Sequence, residues 1–193
     1  MAPRILQQLT PRATRSGLIR YDPEKIHDLL AEPLIVVALH ENGFIGIEKL
    51  GRFIKSNGKR IPSADLLAKK GGKLLGIEVK TIRMENNPKP VPGKVMGNSH
   101  IPYWWGNMFL NNAIIKIEDK KQRVLKQLKN TREHFNCDLT MLVLYNRRLG
   151  PSTLMQQDSY LRELRTIKSK YNEIDLFMVR DYFGYVVFYP SLP

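Results

Sequence analysis

The sequence is poor in the residues that build disulfides and zinc clusters, because its 193 positions include one cysteine, Cys137. A single cysteine excludes an internal disulfide and any zinc site that needs several thiolates. The four histidines show no HExxH pairing, so a histidine-based metal site is not expected either. No serine lies in a Gly-x-Ser-x-Gly pattern, which leaves nucleophilic catalysis without support. The sequence Gly71-Gly72-Lys73 lacks the spacing and the following Ser or Thr of a phosphate-binding loop.

Long apolar runs are missing as well. The longest one extends from Leu34 to Leu39, far short of the roughly 20 residues that a membrane-spanning helix needs. The first residues carry arginines without the apolar centre of a signal peptide, so no secretion signal is expected. We expect a protein without a membrane partner that works inside the cell, in the cytoplasm or associated with the nucleoid.

Acidic residues are scarce relative to basic ones. Lysine and arginine together number 31 against 18 aspartates and glutamates, a formal net charge of +13. Such an excess favours a polyanionic partner, and nucleic acid is the commonest one. An anionic membrane surface is the alternative, but no stretch combines a basic face with a strongly apolar face. The composition therefore favours DNA or RNA as the partner.

The basic charge begins in an N-terminal arm, residues 1–21, which holds four arginines and no acidic residue. We expect this arm to be flexible or to become ordered on binding, with Arg12 and Arg15 contacting the phosphate backbone. Residues 22–193 are predicted to form a single domain, since their number suits one hydrophobic core.

Within this domain, hydrophobic periodicity predicts alternating helices and strands. A helix is expected from Pro23, with Asp22 as its cap, interrupted at Pro33 and ended by Asn42-Gly43. The apolar spacing predicts another helix over about 117–136. Further strands and helices follow, and the chain closes with two strands joined near 181–184. The pattern indicates a mixed α/β fold with a central sheet flanked by helices.

A long loop is predicted at about 85–112, where four prolines occur among several glycines and asparagines. Loops of this length in a compact domain are usually functional or disordered. Its aromatic and basic side chains are candidates for stacking on bases or wedging into a branch point. They are Lys89, Lys94, Tyr103, Trp104 and Trp105. The alternative is that the tryptophans close a small satellite core beneath the loop.

The most informative stretch is a predicted hairpin, with strands at 64–69 and 73–82 around Gly71-Gly72. With a two-residue turn, opposed residue numbers sum to 143, so Asp65 faces Glu78, and Lys80 lies on the same side as Glu78. Opposed carboxylates repel unless a cation lies between them. Mg²⁺ prefers carboxylate oxygens, so the register indicates a metal site. A solvated surface with a Glu-x-Lys pair is the alternative.

Residues 62–80, PSADLLAKKGGKLLGIEVK, resemble the core of the PD-(D/E)xK nuclease superfamily, which has the restriction-endonuclease-like fold. The similarity is greatest to archaeal Holliday-junction resolvases. In that family an acid begins one strand, a short turn follows, and the next strand carries Glu-x-Lys. The family also places a glutamate about eleven residues before a Gly-Phe pair, as Glu32 is placed before Gly43-Phe44 here. The match covers about 32–82.

The resemblance implies roles for individual residues. Asp65 and Glu78 would ligate Mg²⁺ or Mn²⁺ together with the Val79 carbonyl. Lys80 would orient the attacking water and stabilise charge on the phosphate, and Glu32 would complete the metal site.

Two of the implied assignments leave alternatives open. Because Glu32 precedes Pro33, which disfavours helical geometry at that position, Glu41 and Glu48 are alternatives for its role. A glutamine on the next helix supports the site in many relatives, and Gln127 is the candidate here, with an exposed helical glutamine as the alternative.

The function implied by the resemblance is a metal-dependent DNA endonuclease that leaves 5′-phosphate and 3′-hydroxyl ends. Selectivity for junctions or branched DNA in recombination or repair is the leading expectation, and junction resolvases act as homodimers. A sequence-specific restriction enzyme, or an enzyme of a virus or mobile element, fits the same residues. The alternative from another class is a basic nucleic-acid-binding protein that keeps the fold without cutting.

Overall fold

The computed structural model describes residues 12–13, 19–20, 23–51, 53–54, 58, 60–82, 108–118, 122–146, 157–181 and 184–191. Within them the helices are α1 (Pro23–Glu41), α2 (Met108–Ile117), α3 (Arg123–Phe135) and α4 (Gln157–Lys170). The strands are β1 (Arg12–Ala13), β2 (Ile19–Arg20), β3 (Ile45–Lys49), β4 (Phe53–Ile54), β5 (Arg60–Ile61), β6 (Leu66–Lys70), β7 (Lys73–Ile82), β8 (Leu139–Asn146), β9 (Leu176–Asp181) and β10 (Val186–Tyr189).

Six of the strands form one mixed sheet in the order β10-β9-β8-β7-β6-β3. The central strands β7, β8 and β9 are parallel, and the pairs β3–β6, β6–β7 and β9–β10 are antiparallel. The predicted mixed α/β architecture with a central sheet is therefore confirmed.

Helices cover both faces of this sheet. Helix α1 buries Ile35 and Leu39 in a cluster that includes Ile77 of β7, whereas α2, α3 and α4 pack in a second cluster that includes Ile82. Because both faces are covered, β8 is buried along almost its whole length, which explains its continuous apolar sequence.

Helix α1 differs from the prediction, because it continues through Pro33. Buried Ala31, Ile35, Ala38 and Leu39 recur with helical spacing on both sides of the proline, while Pro33 itself is exposed. Burying this face against the sheet offsets the missing hydrogen bond, which costs about 3 kcal/mol in an unsupported helix. The helix does begin at Pro23, as expected, and Gly43 follows its end with a φ of +75°.

The helix predicted over about 117–136 is α3, which starts later than expected, and Ile117 belongs to the preceding helix. Ile117 ends α2, and α3 starts at Arg123 after Gln122, which has a left-handed φ of 45°. The intervening sequence EDKKQ offers no apolar residue to bury, so the periodic pattern is broken there. Helix α2 starts at Met108, so the segment predicted as a loop to residue 112 ends in helix.

The predicted hairpin is confirmed. Gly71 and Gly72 both have positive φ values, 57° and 77°, as a type I′ turn requires. The paired residues run from Lys70 with Lys73 to Leu66 with Ile77, which is the predicted register.

The N-terminal arm contributes one short ladder, in which Arg12 of β1 pairs with Arg20 of β2. The other predicted nucleic-acid contacts lie outside the described residues. They are Arg15, Lys89, Lys94, Tyr103, Trp104 and Trp105.

Candidate active site

Asp65 immediately precedes β6 and takes part in three hydrogen bonds. Its backbone N–H donates to the Ile77 carbonyl at 3.0 Å, and its carbonyl accepts from the Leu50 N–H at 2.8 Å. Its carboxylate Oδ2 accepts from the Val79 N–H at 2.8 Å. The hairpin thus places the Asp65 carboxylate at the backbone between Glu78 and Val79.

Glu78 is fully buried, with 0% of its surface exposed. Its Oε1 accepts a hydrogen bond from the Lys80 ammonium, as expected for side chains on the same side of β7. Its Oε2 has no hydrogen-bond partner among the described residues. A buried carboxylate oxygen without a partner is costly. The alternative of a solvated Glu-x-Lys surface is therefore wrong at this position.

The electrostatics of the site disfavour two negative charges. Burial, and next the neighbouring Asp65 carboxylate, raise the pKa of Glu78 to about 8, against the opposing effects of Lys80 and of the Asp65 backbone N–H. Burial also raises the pKa of Asp65, opposed by the hydrogen bond from Val79 and by the charge of Lys80. Each carboxyl therefore keeps its proton to a higher pH than usual, and a bound divalent cation would favour the deprotonated form.

Glu32 lies near this pair but has a partner of its own. Its carboxylate makes an ion pair of 2.6 Å with Lys49 on the edge strand β3. Glu32 raises and Lys49 lowers the pKa of Asp65, so both side chains act electrostatically on the site. The alternatives for its role, Glu41 and Glu48, are exposed.

Within the part of the chain that the structure describes, no three acidic, histidine or cysteine side chains form a metal-binding group. The structure therefore brings together Asp65, Glu78, Val79 and Lys80, and leaves Glu32 with Lys49. Whether Glu32 completes a metal site stays a prediction, as does the role of the Val79 carbonyl.

The donor atoms at the hairpin fit a hard divalent cation. Two carboxylates supply oxygen ligands, which Mg²⁺ and Mn²⁺ prefer. The Oε2 atom of Glu78, which has no hydrogen-bond partner among the described residues, could coordinate such a cation. A cation bound there would offset the cost of burying this carboxylate oxygen. Asp65 and Glu78 are thus the residues that would hold such an ion.

Helix α3 supports the segment that precedes Asp65. The side-chain amide of Gln127 donates to the Ser63 carbonyl at 2.8 Å, and Gln127 is half-buried rather than exposed. Sequence reasoning missed two neighbours of Gln127 that contact the same segment, Asn130 and Thr131. The available signal was Thr131, a polar residue within the apolar stripe of α3.

No helix among the described residues is long and apolar enough to cross a membrane. Comparisons of the chain with protein-family models, with curated proteins and with solved structures find no match in any of the three.

Proposed function

We propose that the protein is a metal-dependent DNA endonuclease with the restriction-endonuclease-like fold. The observation that carries the proposal is the buried Glu78, which has an unpartnered Oε2 and lies beside Asp65 and Lys80. The buried Glu78 carboxyl beside a second carboxyl destabilises the fold unless a cation compensates, and the partly exposed Lys80 ammonium does so only in part. Phosphodiester hydrolysis uses this combination, because it needs a bound cation and a nearby positive charge.

In the proposed reaction, Asp65 and Glu78 bind the cation, and Lys80 acts on the phosphate. The bound cation supplies Lewis-acid activation of the scissile phosphate and lowers the pKa of the attacking water. Lys80 orients that water and, by its charge, stabilises the negative oxygens that develop at phosphorus. The water oxygen bonds to phosphorus as the bond to the 3′-oxygen breaks. The water gives up a proton to solvent and the departing 3′-oxygen takes one up from solvent, which leaves a 5′-phosphate and a 3′-hydroxyl.

The proposed substrate is DNA, as the resemblance implies, and the formal charge of +13 favours a polyanionic partner of this kind. Selectivity for junctions or branched DNA, and action as a homodimer, follow from the similarity of residues 32–82 to junction resolvases. Such an enzyme would work in recombination or repair.

A second candidate function is nucleic-acid binding without cleavage. It is favoured by the ion pairs already present, since Lys80 neutralises Glu78 and Lys49 neutralises Glu32. Under this alternative the Lys80 ammonium takes the place of the metal ion, and the protein keeps the nuclease fold without its catalytic activity.

Cleavage of a labelled DNA panel tests the proposal. The panel contains a four-way junction, a flap, a linear duplex and a single strand, each with Mg²⁺, Mn²⁺ or EDTA. We expect cutting of at least one substrate with either metal ion and none with EDTA. Salt-sensitive binding without cutting of any substrate would favour the non-catalytic alternative.

Lys80→Met is expected to tighten Mn²⁺ binding about tenfold while abolishing cleavage. The ammonium occupies Oε1 of Glu78, and it repels a divalent cation about twice as strongly as it repels the competing proton. Calorimetric titration measures the affinity. Lys170→Met is the matched control, since it removes an ammonium from an ion pair outside the hairpin, with Glu118, and it should change the affinity by less than about twofold. Weaker Mn²⁺ binding to Lys80→Met would contradict this assignment of Lys80.

A further inference from the structure

The segment from Pro62 to Ala64 joins β5 to Asp65 and is fastened to helix α3 by consecutive contacts. The Asn130 amide donates to the Pro62 carbonyl at 3.0 Å. The Ala64 N–H donates to the Thr131 hydroxyl oxygen at 2.7 Å. Together with the Gln127 contact, three successive residues before Asp65 are each bound by an α3 side chain.

Thr131 is unusual for its position. It is fully buried and follows Val124 and Leu128 along the apolar stripe of α3, where another aliphatic residue would be expected. Its hydroxyl has one backbone partner 67 positions away in sequence, Ala64. A buried polar side chain at an apolar position costs stability unless it is hydrogen-bonded, and the Ala64 N–H supplies that bond for Thr131.

The other side of Thr131 fixes the distance between α3 and β7. A Cβ added to Gly76 would lie 2.9 Å from the Thr131 methyl carbon, so the absent side chain of Gly76 lets the helix approach the strand closely. Thr131 therefore contacts both strands of the hairpin, β7 through Gly76 and the entry to β6 through Ala64.

We propose that Thr131 and Asn130 are positioning residues that set the Asp65 carboxylate against the Val79 N–H. The backbone of Asp65 is hydrogen-bonded to Leu50 and Ile77. The three residues just before Asp65 are hydrogen-bonded to side chains of α3. The inference rests on the proposed function for its consequence, since a displaced Asp65 would not share a cation with Glu78. Residues that orient metal ligands typically contribute 10- to 100-fold in affinity or activity.

The test compares Thr131→Val, which keeps the shape and removes the acceptor, with Thr131→Ser, which keeps the acceptor. In Thr131→Val we expect the Val79 amide to exchange its hydrogen at least about tenfold faster, because its bond to Asp65 is loosened. Mn²⁺ affinity should fall about tenfold. Thr131→Ser should restore both quantities to within about twofold of wild type.

Amide exchange measured by NMR decides the inference without relying on metal binding. Wild-type exchange at Val79 in a folded Thr131→Val protein would overturn it, whatever the Mn²⁺ result. If Thr131→Val does not fold, Asn130→Ala replaces it, because Asn130 is only half-buried. Faster exchange at Val79 is again expected, and unchanged exchange would again overturn the inference. Failure of wild type to bind Mn²⁺ even with DNA would instead count against the proposed nuclease.

Discussion

Replacing Glu78 by glutamine is expected to slow metal-dependent DNA cleavage about a thousandfold, the size of effect seen when one charge-stabilising group is removed from a buried site. Glutamine has nearly the same shape, so the packing around this fully buried residue is retained. It lacks the negative charge that holds a divalent cation, and its amide nitrogen cannot act as a ligand. Single-turnover cleavage of the preferred DNA substrate in Mg²⁺ measures the loss.

A buried glutamate outside the hairpin provides the matched control. Glu163 on α4 is 7% exposed, and Glu163→Gln should cut at a rate within a few-fold of wild type if it folds. Cleavage by Glu78→Gln at a similar rate would remove Glu78 from the metal site. It would also remove the main support for the proposed chemistry.

The hairpin was predictable because its determinants are local. Gly71 and Gly72 specify a two-residue turn, and the turn fixes every opposed pair by arithmetic. The juxtaposition of Asp65 with Glu78 and Lys80 followed from that register. What periodicity cannot give is burial, and the full burial of Glu78 depends on helices that follow β7 in the sequence.

The errors arose where tertiary packing decides the outcome. A proline inside an apolar periodic stretch predicts a break, but Pro33 faces solvent while Ile35 and Leu39 are held against the sheet. The contacts of Asn130 and Thr131 join residues 67 or 68 positions apart. No local pattern in a single sequence specifies such a pairing, because it depends on where α3 lies over the sheet.

Glu78→Gln is also expected to change how stability depends on pH. The pKa of Glu78 is raised from an ordinary value of 4.5 to about 8, so between these pH values the folded protein binds more protons at this residue than the unfolded chain does. The free energy of unfolding of the wild type therefore falls as pH rises through this window, by at most about 1.4 kcal/mol per pH unit. Glutamine does not titrate, so the free energy of unfolding of Glu78→Gln should not show this decrease with pH.

Urea unfolding without metal at pH 5, 7 and 9 measures the difference. We expect Glu78→Gln to have nearly wild-type stability at pH 5, because glutamine mimics the protonated glutamate, and to be the more stable protein at pH 9. Glu118→Gln is the control, since Lys170 and Tyr171 lower the pKa of Glu118. Its contribution to stability is present above its ordinary pKa and is lost only at lower pH, so Glu118→Gln should differ from wild type by a nearly constant amount from pH 5 to pH 9.

The two outcomes together separate a functional carboxylate from a structural one. If the ion pair with Lys80 existed to stabilise the fold, removing the charge of Glu78 would destabilise the protein at pH 9, because it would leave the partly buried Lys80 ammonium without its partner. If Glu78 is retained for cation binding, removing its charge should instead stabilise the metal-free protein at pH 9. The burial of the charged carboxylate costs stability that is regained only when the cation binds. An inactive variant that is more stable than wild type in alkali is therefore the result expected of a metal ligand. A difference in stability that stays constant from pH 5 to pH 9 would show that Glu78 is not the group whose burial opposes ionisation.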